Sequence, residues 1–239
     1  KLIKYLIKNR HTSTLEHNVV TFRFVVPLFV RSQHHRHRTW SYNEISRRYT
    51  DVDLKMYAPK LFRTQHSSNR QASNFDELYD PIIDEGRPNE RSASWSIKNH
   101  HKKSLKLYNN LLDVGVCREQ ARGVLPQNLY TEYYGTTNLN NLLKFISLRS
   151  HEGAQWEIQQ VAAACLEIAR ELFPVTVRSY VDVNDKDFLQ TVYVVECEDT
   201  ANPVEFYMLK NLEKRLKEVG FRYQVGIIHE ELPAEDEEE

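Results

Sequence analysis

Cysteine is scarce in this chain and provides neither a disulfide framework nor a metal site. The 239 residues contain three cysteines, at positions 117, 165 and 197. Their number is odd, they lie far apart, and no two have the spacing of metal ligands, so a disulfide scaffold is not expected. Free thiols of this kind are typical of a reducing compartment, which predicts a cytoplasmic protein.

The chain also lacks a long apolar run, a signal peptide and a large net charge. No stretch approaches about 18 consecutive apolar residues, so we expect no membrane-spanning segment. A formal net charge of −1 argues against a protein that coats nucleic acid with a basic surface. The charges are segregated, however, because residues 31–48 are strongly basic and residues 235–239 are all acidic. A charged segment in a neutral protein indicates a binding site.

The length of the chain sets the expected domain organisation. With 239 residues, of which 41% are hydrophobic, the chain can form one good-sized domain with an appendage. It begins at Lys1, inside a helical pattern and without Met, so we expect that the natural N-terminus is missing. We predict a main domain over residues 1–175 and a small extension over residues 176–239, which ends in the acidic tail.

Hydrophobic periodicity predicts an α+β domain. Strands are expected at residues 19–26 and 129–137, which are rich in β-branched and aromatic residues. Helices are expected at residues 1–9, 28–38, 101–114, 117–124, 139–149 and 154–173. Residues 39–50 are predicted to form a loop with a short helical turn, and residues 51–100 are the least regular part. In the extension, residues 188–195, 203–219 and 221–228 predict a small β-α-β unit.

The most informative segment covers residues 36–49 and reads RHRTWSYNEISRRY. It contains four arginines, a histidine, an asparagine, a glutamate and two serines within fourteen residues. Solubility alone requires no such set. Planar guanidinium groups match phosphate oxygens, and hydroxyl and amide groups can complete the coordination. The segment therefore predicts a site for a phosphorylated ligand that also has a polar heterocycle.

Three other interpretations of this region are less well supported. The neighbouring His34, His35 and His37 point to different faces of a helix and lie beside arginines that repel a cation, so no metal site is expected. Basic side chains beside aromatic rings could bind single-stranded RNA, but the rest of the chain is not basic and carries no RNA-binding signature. Ser46 would need an oriented base to act as a nucleophile, and a serine among arginines is better explained as a phosphate ligand. RNA binding stays as the alternative function.

The segment resembles the signature of the flavin-dependent thymidylate synthases. The run RHR is followed after seven residues by Ser46, and Asn43-Glu44 and Arg48-Tyr49 flank this serine. Other matching segments follow in the same order and spacing: HTSTLEH at 11–17, Gln33, REQAR at 118–122 with Leu125-Pro126, NLYTE at 128–132 and AQWEI at 154–158. The resemblance extends from Lys1 to about Pro174.

The resemblance implies an antiparallel sheet flanked by helices, in a homotetramer whose active sites are shared between subunits. It implies an enzyme that methylates dUMP reductively to dTMP. The carbon donor would be 5,10-methylenetetrahydrofolate, and NADPH would supply electrons through FAD. The partners would be small-molecule substrates and other copies of the chain, without nucleic acid or membrane. No protein nucleophile is required, which agrees with the lack of a convincing one in the sequence.

Matching positions imply the site residues. FAD would be bound by His11, Ser13, Glu16, Arg36, His37, Arg38, Glu44, Asn138, Asn140 and Lys144. The nucleotide dUMP would be bound by Gln33, Glu44, Ile45, Ser46, Arg47, Arg48, Arg122 and Arg149. The expected catalytic residue is Arg149, whose guanidinium would favour loss of the uracil N3 proton and stabilise negative charge on the ring. Two positions depart from the family, because Asn140 stands where arginine is frequent and Lys144 where a small amide or imidazole side chain is frequent.

Overall fold

The structure is a computed structural model, which describes residues 1–46, 48–49, 54–59, 61–70, 73–83, 90–151, 153–184, 193–197, 206–208 and 223–227. Its α-helices are α1 (Leu2–Lys8), α2 (Leu28–His34), α3 (Ala93–Asp113), α4 (Arg118–Ala121), α5 (Leu139–Arg149), α6 (Trp156–Leu172) and α7 (Pro174–Asn184). Its strands are β1 (Val19–Pro27), β2 (Ser41–Glu44), β3 (Phe62–Gln65), β4 (Ser73–Tyr79), β5 (Tyr130–Asn138), β6 (Tyr193–Cys197), β7 (Phe206–Met208) and β8 (Tyr223–Ile227). Short 3-10 turns cover Thr12–Leu15 and Arg122–Val124.

The central sheet is antiparallel and has the strand order β1-β5-β2. Val19 of β1 lies opposite Asn138 of β5, and Ser41 of β2 lies opposite Thr136 of β5. Burial alternates from residue to residue along most of β1, as expected for a strand with one face in the core. This antiparallel sheet, with helices packed against it, confirms the predicted α+β class.

Helices α5 and α6 pack their apolar faces into the core. Asn138 caps α5, because its side-chain oxygen accepts a hydrogen bond from the backbone N–H of Asn141 at 2.9 Å. Ile146 of α5 and Ile158 and Leu166 of α6 are fully buried. The prediction of both helices is confirmed, since their apolar residues recur with the helical period.

Gly135 of β5 allows two aromatic rings to approach the sheet. A Cβ atom at this position would lie 2.9 Å from Cε2 of Phe24 and 3.2 Å from Cε3 of Trp40. Both rings are buried, and their centroids lie 6.1 Å apart. A side chain at residue 135 would displace this packing, so the close approach itself requires glycine.

Helix α2 is shorter than predicted. It ends at His34 and not near residue 38, so the RHR run lies in the turn after the helix and not on its last turn. The hydroxyl of Tyr42 lies 2.9 Å from the carbonyl oxygen of His34 and 3.0 Å from that of His37. This hydroxyl therefore contacts the carbonyl of the last residue of α2 and a carbonyl of the turn that follows the helix. The contact with Tyr42 favours the end of the helix at His34, and the hydrophobic periodicity of the sequence does not reveal this contact.

The prediction of a loop with a helical turn over residues 39–50 is wrong at Ser41–Glu44. These residues form strand β2 at the edge of the central sheet, paired with β5. Their sequence, SYNE, lacks a buried apolar alternation, and backbone pairing with β5 outweighs the weak local preference. The strand places Glu44 opposite Tyr133, within reach of the side chains that β5 carries.

Helix α3 begins at Ala93, which is eight residues before the predicted start. Asp80, just after β4, accepts hydrogen bonds from the backbone N–H of Ser94 at 2.9 Å and from its hydroxyl at 2.6 Å. The first turns of α3 therefore depend on a tertiary contact with the β3–β4 hairpin. The helix ends where predicted, before Gly115, whose φ of +88° lies in the left-handed region typical of helix C-termini.

Helix α7 follows α6 directly and packs with the main domain. Val177 is fully buried in the core. Lys4 of α1 forms an ion pair with Asp182 of α7 at 3.0 Å. The division of the chain at residue 175 stays a prediction, and the burial of Val177 favours a boundary after this helix.

In the described residues of the extension, β6 is the central strand of an antiparallel sheet with the order β7-β6-β8. The predicted strands at 188–195 and 221–228 overlap β6 and β8. The predicted helix at 203–219 is wrong at residues 206–208, which form β7. The aromatic residues Phe206 and Tyr207 favour a strand. The rest of that predicted helix lies outside the described residues.

Candidate active site

A cavity of about 540 Å³ opens beside the end of β2; we call it the β2 cavity. Its polar lining consists of Arg31, Glu44, Ser46, Arg122, Gln127 and Thr131, and Ile45 lies at its wall. Four of the predicted ligand residues, at positions 44, 45, 46 and 122, therefore share one cavity. The fold brings them together although residue 122 lies 76 positions after residue 46 in the sequence.

Glu44 is held inside the β2 cavity by two partners. The hydroxyl of Thr131 donates to Oε1 of Glu44 at 2.7 Å. Arg31 donates from Nε to Oε2 of the same carboxylate at 2.9 Å and also forms an ion pair with it through Nη2. Each oxygen of Glu44 therefore has a protein partner, and the carboxylate fixes the orientation of the Arg31 guanidinium.

Ser46 and Arg122 supply groups that suit an anionic ligand. Arg122 is exposed at the cavity, and Ser46 accepts a long hydrogen bond of 3.4 Å from the backbone N–H of Arg48. The backbone N–H of Ile45 donates to the carbonyl of Glu132 at 3.0 Å, so Ile45 offers the cavity its side chain. The predicted ligand Arg48 is exposed, and Arg47 lies outside the described residues.

A second group of predicted residues forms the Arg149 cluster, defined as Gln33, His37 and Arg149. Arg149, the last residue of α5, donates from Nε to Nε2 of His37 at 3.0 Å. It also donates from Nη2 to the backbone carbonyl of Gln33 at 3.3 Å. The predicted nucleotide ligands Gln33 and Arg149 therefore meet the predicted flavin ligand His37.

Histidine 37 is held in its neutral form. Because its Nε2 accepts a hydrogen bond from Arg149, the single ring proton is on Nδ1. Burial, and then the charge of Arg149, lower the pKa of His37 to about 4. The ring also packs edge-on against Phe145, with centroids 4.9 Å apart. Burial lowers the pKa of Arg149 as well. Because the ring of His37 is neutral, the guanidinium of Arg149 has no second positive charge beside it at this contact.

A third group, the Asn140 cluster, is defined as Ser13, Glu16, Asn138 and Asn140 at the N-terminal end of α5. The buried Asn140 donates to Oε1 of Glu16 at 3.1 Å. Asn138 caps the helix with its side chain, so its oxygen already has a structural role. Ser13 is exposed. Only one side-chain hydrogen bond thus ties the cluster together in the described residues.

The remaining flavin candidates have exposed side chains. His11 stacks at 6.4 Å on the ring of Tyr5, and Lys144 lies on the outer face of α5. Arg36 and Arg38 are exposed beside His37 in the turn after α2. Asn140 and Arg149 are nine residues apart on α5, which corresponds to about 14 Å along the helix axis. The structure therefore separates the Asn140 cluster from the Arg149 cluster within one chain, and Lys144 lies between them on α5.

The histidine run does not converge on one point. His34 is buried, its Nδ1 lies 2.8 Å from the hydroxyl of Tyr133, and burial lowers its pKa to about 3. The ring of His35 lies 4.0 Å from that of Tyr42, centroid to centroid, whereas His37 contacts Arg149. Within the described residues, no group of three or more His, Cys, Asp or Glu side chains could hold a metal ion.

Each helix in the described part of the chain is too short or too polar to span a membrane.

The sequence-based prediction missed three residues that contact the site. Arg31 lies in the β2 cavity, two positions before Gln33 in the basic segment, and that position was a signal for it. Gln155 accepts a hydrogen bond from the side chain of Gln33, and Glu157 accepts one from Gln155 at 2.8 Å. Their motif, AQWEI, was matched in sequence but explained only as the start of a helix.

Comparison with sequence families gives a consistent result. The family model described as thymidylate synthase complementing protein, Thy1, matches residues 1–175. A flavin-dependent thymidylate synthase of Thermus thermophilus is 43% identical over 173 residues, which cover 72% of this chain and 60% of the relative. One of Thermosipho melanesiensis is 38% identical over 193 residues, which cover 80% of each protein. This chain thus spans less than two thirds of the length of its Thermus relative.

Solved structures point in the same direction. A crystal structure of PolB, a UMP/dUMP methylase of Streptomyces cacaoi bound with 5-Br UMP, has a TM-score of 0.65 and 33% sequence identity. The similarity covers 76% of this chain and 81% of that protein. The structure of PolB with 5-Br dUMP has a TM-score of 0.64. These comparisons give no support to the alternative of an RNA-binding module.

Proposed function

This chain belongs to the Thy1 family of flavin-dependent thymidylate synthases, and from that premise we propose that it methylates dUMP reductively to dTMP. The observation that carries the proposal is the β2 cavity, where the signature residues Glu44 and Ser46 meet Arg122 from a distant part of the chain. A guanidinium beside a hydroxyl is a donor set that suits a nucleotide phosphate. We propose 5,10-methylenetetrahydrofolate as the carbon donor and NADPH as the reductant.

The residues of the β2 cavity would bind the phosphate of dUMP. Ser46 and Arg122 supply a hydroxyl and a charge-assisted donor, and Arg47 and Arg48 would add cations from the same segment. Glu44 repels a phosphate by its charge, so its role in nucleotide binding would be to orient Arg31 and to accept hydrogen bonds from neutral donors. Gln33 would bind the nucleotide from the side of the Arg149 cluster.

Arg149 would act on the uracil ring. Carbon 5 of uracil must become nucleophilic, which places negative charge on the ring as the reaction proceeds. A fixed guanidinium at the ring edge stabilises that charge, and one such donor contributes about 3 kcal/mol to lowering the barrier. Hydrogen bonds to Nε2 of His37 and to the carbonyl of Gln33 hold Arg149 in place before substrate binds. Because Arg149 is already oriented, the site needs less reorganisation as the reaction proceeds.

The residues present fit a flavin dinucleotide, and we propose FAD. The exposed cations Arg36 and Arg38 suit a pyrophosphate, Lys144 adds a cation from the middle of α5, and Ser13 adds a hydroxyl near the N-terminal end of this helix. When bound, FAD supplies the hydride-transfer chemistry, while the protein provides position and charge. No cysteine nucleophile is required, and the thiol of Cys165 is unsuited to that role because burial raises its pKa and excludes it from the surface.

The separation of the flavin candidates supports a shared site. Within one chain, the Asn140 cluster and the Arg149 cluster lie about 14 Å apart along α5. We propose that the chain forms a homotetramer in which the Asn140 cluster of one subunit and the Arg149 cluster of another contact the same cofactor. Each cluster would then be completed by the other cluster of a neighbouring chain.

The proposal is tested by omitting one reactant at a time. The purified protein is supplied with FAD, dUMP, 5,10-methylenetetrahydrofolate and NADPH, and dTMP is quantified by liquid chromatography and mass spectrometry. We expect dTMP in the complete mixture and none when any component is left out. Because PolB is named for UMP as well as dUMP, UMP is supplied in a parallel series. A folded, flavin-loaded protein that yields no methylated nucleotide would contradict the proposal.

A further inference from the structure

The side chain of Gln33 belongs to a chain of hydrogen bonds that leads away from the site. Its amide Nε2 donates to Oε1 of Gln155, the N-cap residue of α6. The amide Nε2 of Gln155 donates in turn to Oε2 of Glu157, in the first turn of α6, at 2.8 Å. The carboxylate of Glu157 also accepts from Nη2 of Arg63, in β3, at 2.7 Å and lies 3.4 Å from the hydroxyl of Tyr57.

The direction of this chain is set at its far end. A carboxylate paired with an arginine is ionised and only accepts hydrogen bonds. Gln155 must therefore turn its NH₂ group toward Glu157 and its carbonyl oxygen toward Gln33. Gln33 must in turn present its NH₂ group to Gln155. Neither amide can rotate by half a turn without placing two acceptors or two donors against each other.

The ion pair that sets this direction is shielded from water. The side chain of Glu157 is 12% exposed and that of Arg63 is 21% exposed. Arg63 also lies over the ring of Trp156, with its guanidinium carbon 5.2 Å from the ring centroid. An ion pair in this environment is screened less by solvent than a surface pair. The carboxylate of Glu157 is therefore a fixed acceptor, which orients the side-chain amides of Gln155 and Gln33.

We propose that Glu157 and Gln155 are positioning residues, which orient the Gln33 carboxamide so that its carbonyl oxygen is the group offered to the nucleotide. This inference rests on the proposed function, in which Gln33 is a nucleotide ligand. The site then presents an acceptor here, which pairs with an N–H or hydroxyl donor of the nucleotide and disfavours an acceptor at the same place. The short hairpin that carries Arg63 is thereby connected to substrate recognition.

The test measures binding of dUMP to the flavin-loaded protein and its turnover in two single variants. Glu157→Gln keeps the shape of the side chain but can turn a donor toward Gln155, so the direction of the chain is lost. Gln155→Met keeps the volume of the side chain but interrupts the series of hydrogen bonds, and it leaves Glu157 paired with Arg63. For each variant we expect dUMP to bind about tenfold more weakly, with FAD binding unchanged. Glu167→Gln, which removes another α6 carboxylate, paired with Arg170 at 3.2 Å, is the matched control.

A charge-moving double variant separates orientation from stability. In Gln155→Glu combined with Glu157→Gln, the acceptor-only carboxylate faces Gln33 directly, and the amide at 157 donates to it. The orientation of Gln33 is restored, so we expect dUMP affinity to return to within about threefold of the unmodified protein. A purely structural role for Glu157 predicts no such recovery, because the charge opposite Arg63 is still missing.

Each outcome decides the inference. Loss in Glu157→Gln, loss in Gln155→Met and recovery in the double variant support it. Unchanged dUMP binding in Gln155→Met overturns it, and this variant remains informative if Glu157→Gln does not fold. If Glu157→Gln and the double variant bind dUMP equally weakly, the orienting role is overturned as well. If the unmodified, flavin-loaded protein neither binds dUMP nor forms dTMP, the proposed function fails and the inference falls with it.

Discussion

The two ends of α5 differ in how firmly their polar side chains are held. At the C-terminal end, Arg149 contacts His37 and Gln33, and Gln33 continues through Gln155 to a shielded ion pair. At the N-terminal end, the hydrogen bond from Asn140 to Glu16 is the tie between cluster members in the described residues, and neighbouring candidates are exposed. Groups that stabilise a developing charge gain from being fixed beforehand. Groups that only bind a cofactor can be ordered by it.

The largest effect should come from the fixed end. Arg149→Ala removes the guanidinium that would stabilise charge on the uracil ring, so we expect the turnover number for dTMP to fall at least 100-fold. FAD should stay bound, because the Asn140 cluster is untouched, and flavin absorbance of the purified variant checks this. Lys106→Ala, which removes an exposed cation of α3, serves as the control for loss of a cation. Turnover within tenfold of the unmodified enzyme would remove the role given to Arg149.

Substitution in the β2 cavity should have the next largest effect. Arg122→Ala removes a charge-assisted donor to the proposed phosphate position, which corresponds to about 1.5–3 kcal/mol, or roughly a 10- to 100-fold increase in KM for dUMP. The turnover number at saturating dUMP should change much less. Steady-state kinetics with dUMP as the varied substrate measure both constants. A fall in turnover number at unchanged KM would place Arg122 in the chemistry and not in phosphate binding.

The open end should respond more weakly. Asn140→Ala breaks the hydrogen bond to Glu16 and leaves a small cavity, and we expect FAD to bind about two- to tenfold more weakly. Excess FAD should restore the turnover number, because the groups at the C-terminal end are intact. Titration of the apoprotein with FAD, followed by flavin fluorescence, gives the affinity. A turnover number that stays low at saturating FAD would break the distinction between the two ends of α5.

The smallest effect concerns acid stability. His37 has a pKa of about 4 in the folded chain, below the value of 6.5 for an unperturbed histidine, so the unfolded chain binds more protons between these values. Its contribution to stability is complete above pH 6.5 and is lost as the pH falls toward 4. His34, with a pKa of about 3, acts in the same direction.

Urea unfolding measured at pH 7.5 and pH 5 tests this effect. The variant His37→Gln keeps an acceptor for Arg149 but does not titrate. We expect the unmodified protein to lose more unfolding free energy between the two pH values than this variant does. An equal loss in both proteins would show that His37 does not change its protonation on folding.

The sequence predicted best the elements whose pattern is local. Strands β1 and β5 and helices α5 and α6 have clear apolar periodicity, and all four are found where expected. Strand β2 was missed because its polar residues take their conformation from pairing with β5. The end of α2 and the start of α3 were misplaced because Tyr42 and Asp80, which lie outside these helices, contact their ends. Contacts made from outside each element decided these boundaries.

The site was predictable to the extent that motifs carry it. Glu44, Ser46 and Arg122 were expected to act together, and they share the β2 cavity. Arg31 was missed, since only the fold shows that its guanidinium meets Glu44. The connection from Gln33 to Glu157 was missed for the same reason, because it runs between residues more than 120 positions apart.

The most direct test of the account is a crystal structure of the protein with FAD and dUMP. We predict that the nucleotide phosphate contacts Ser46 and Arg122, that Arg149 lies at the uracil edge, and that the flavin contacts the Asn140 cluster of a neighbouring subunit. A complex in which dUMP binds away from the β2 cavity, or in which Arg149 is remote from the uracil ring, would contradict it.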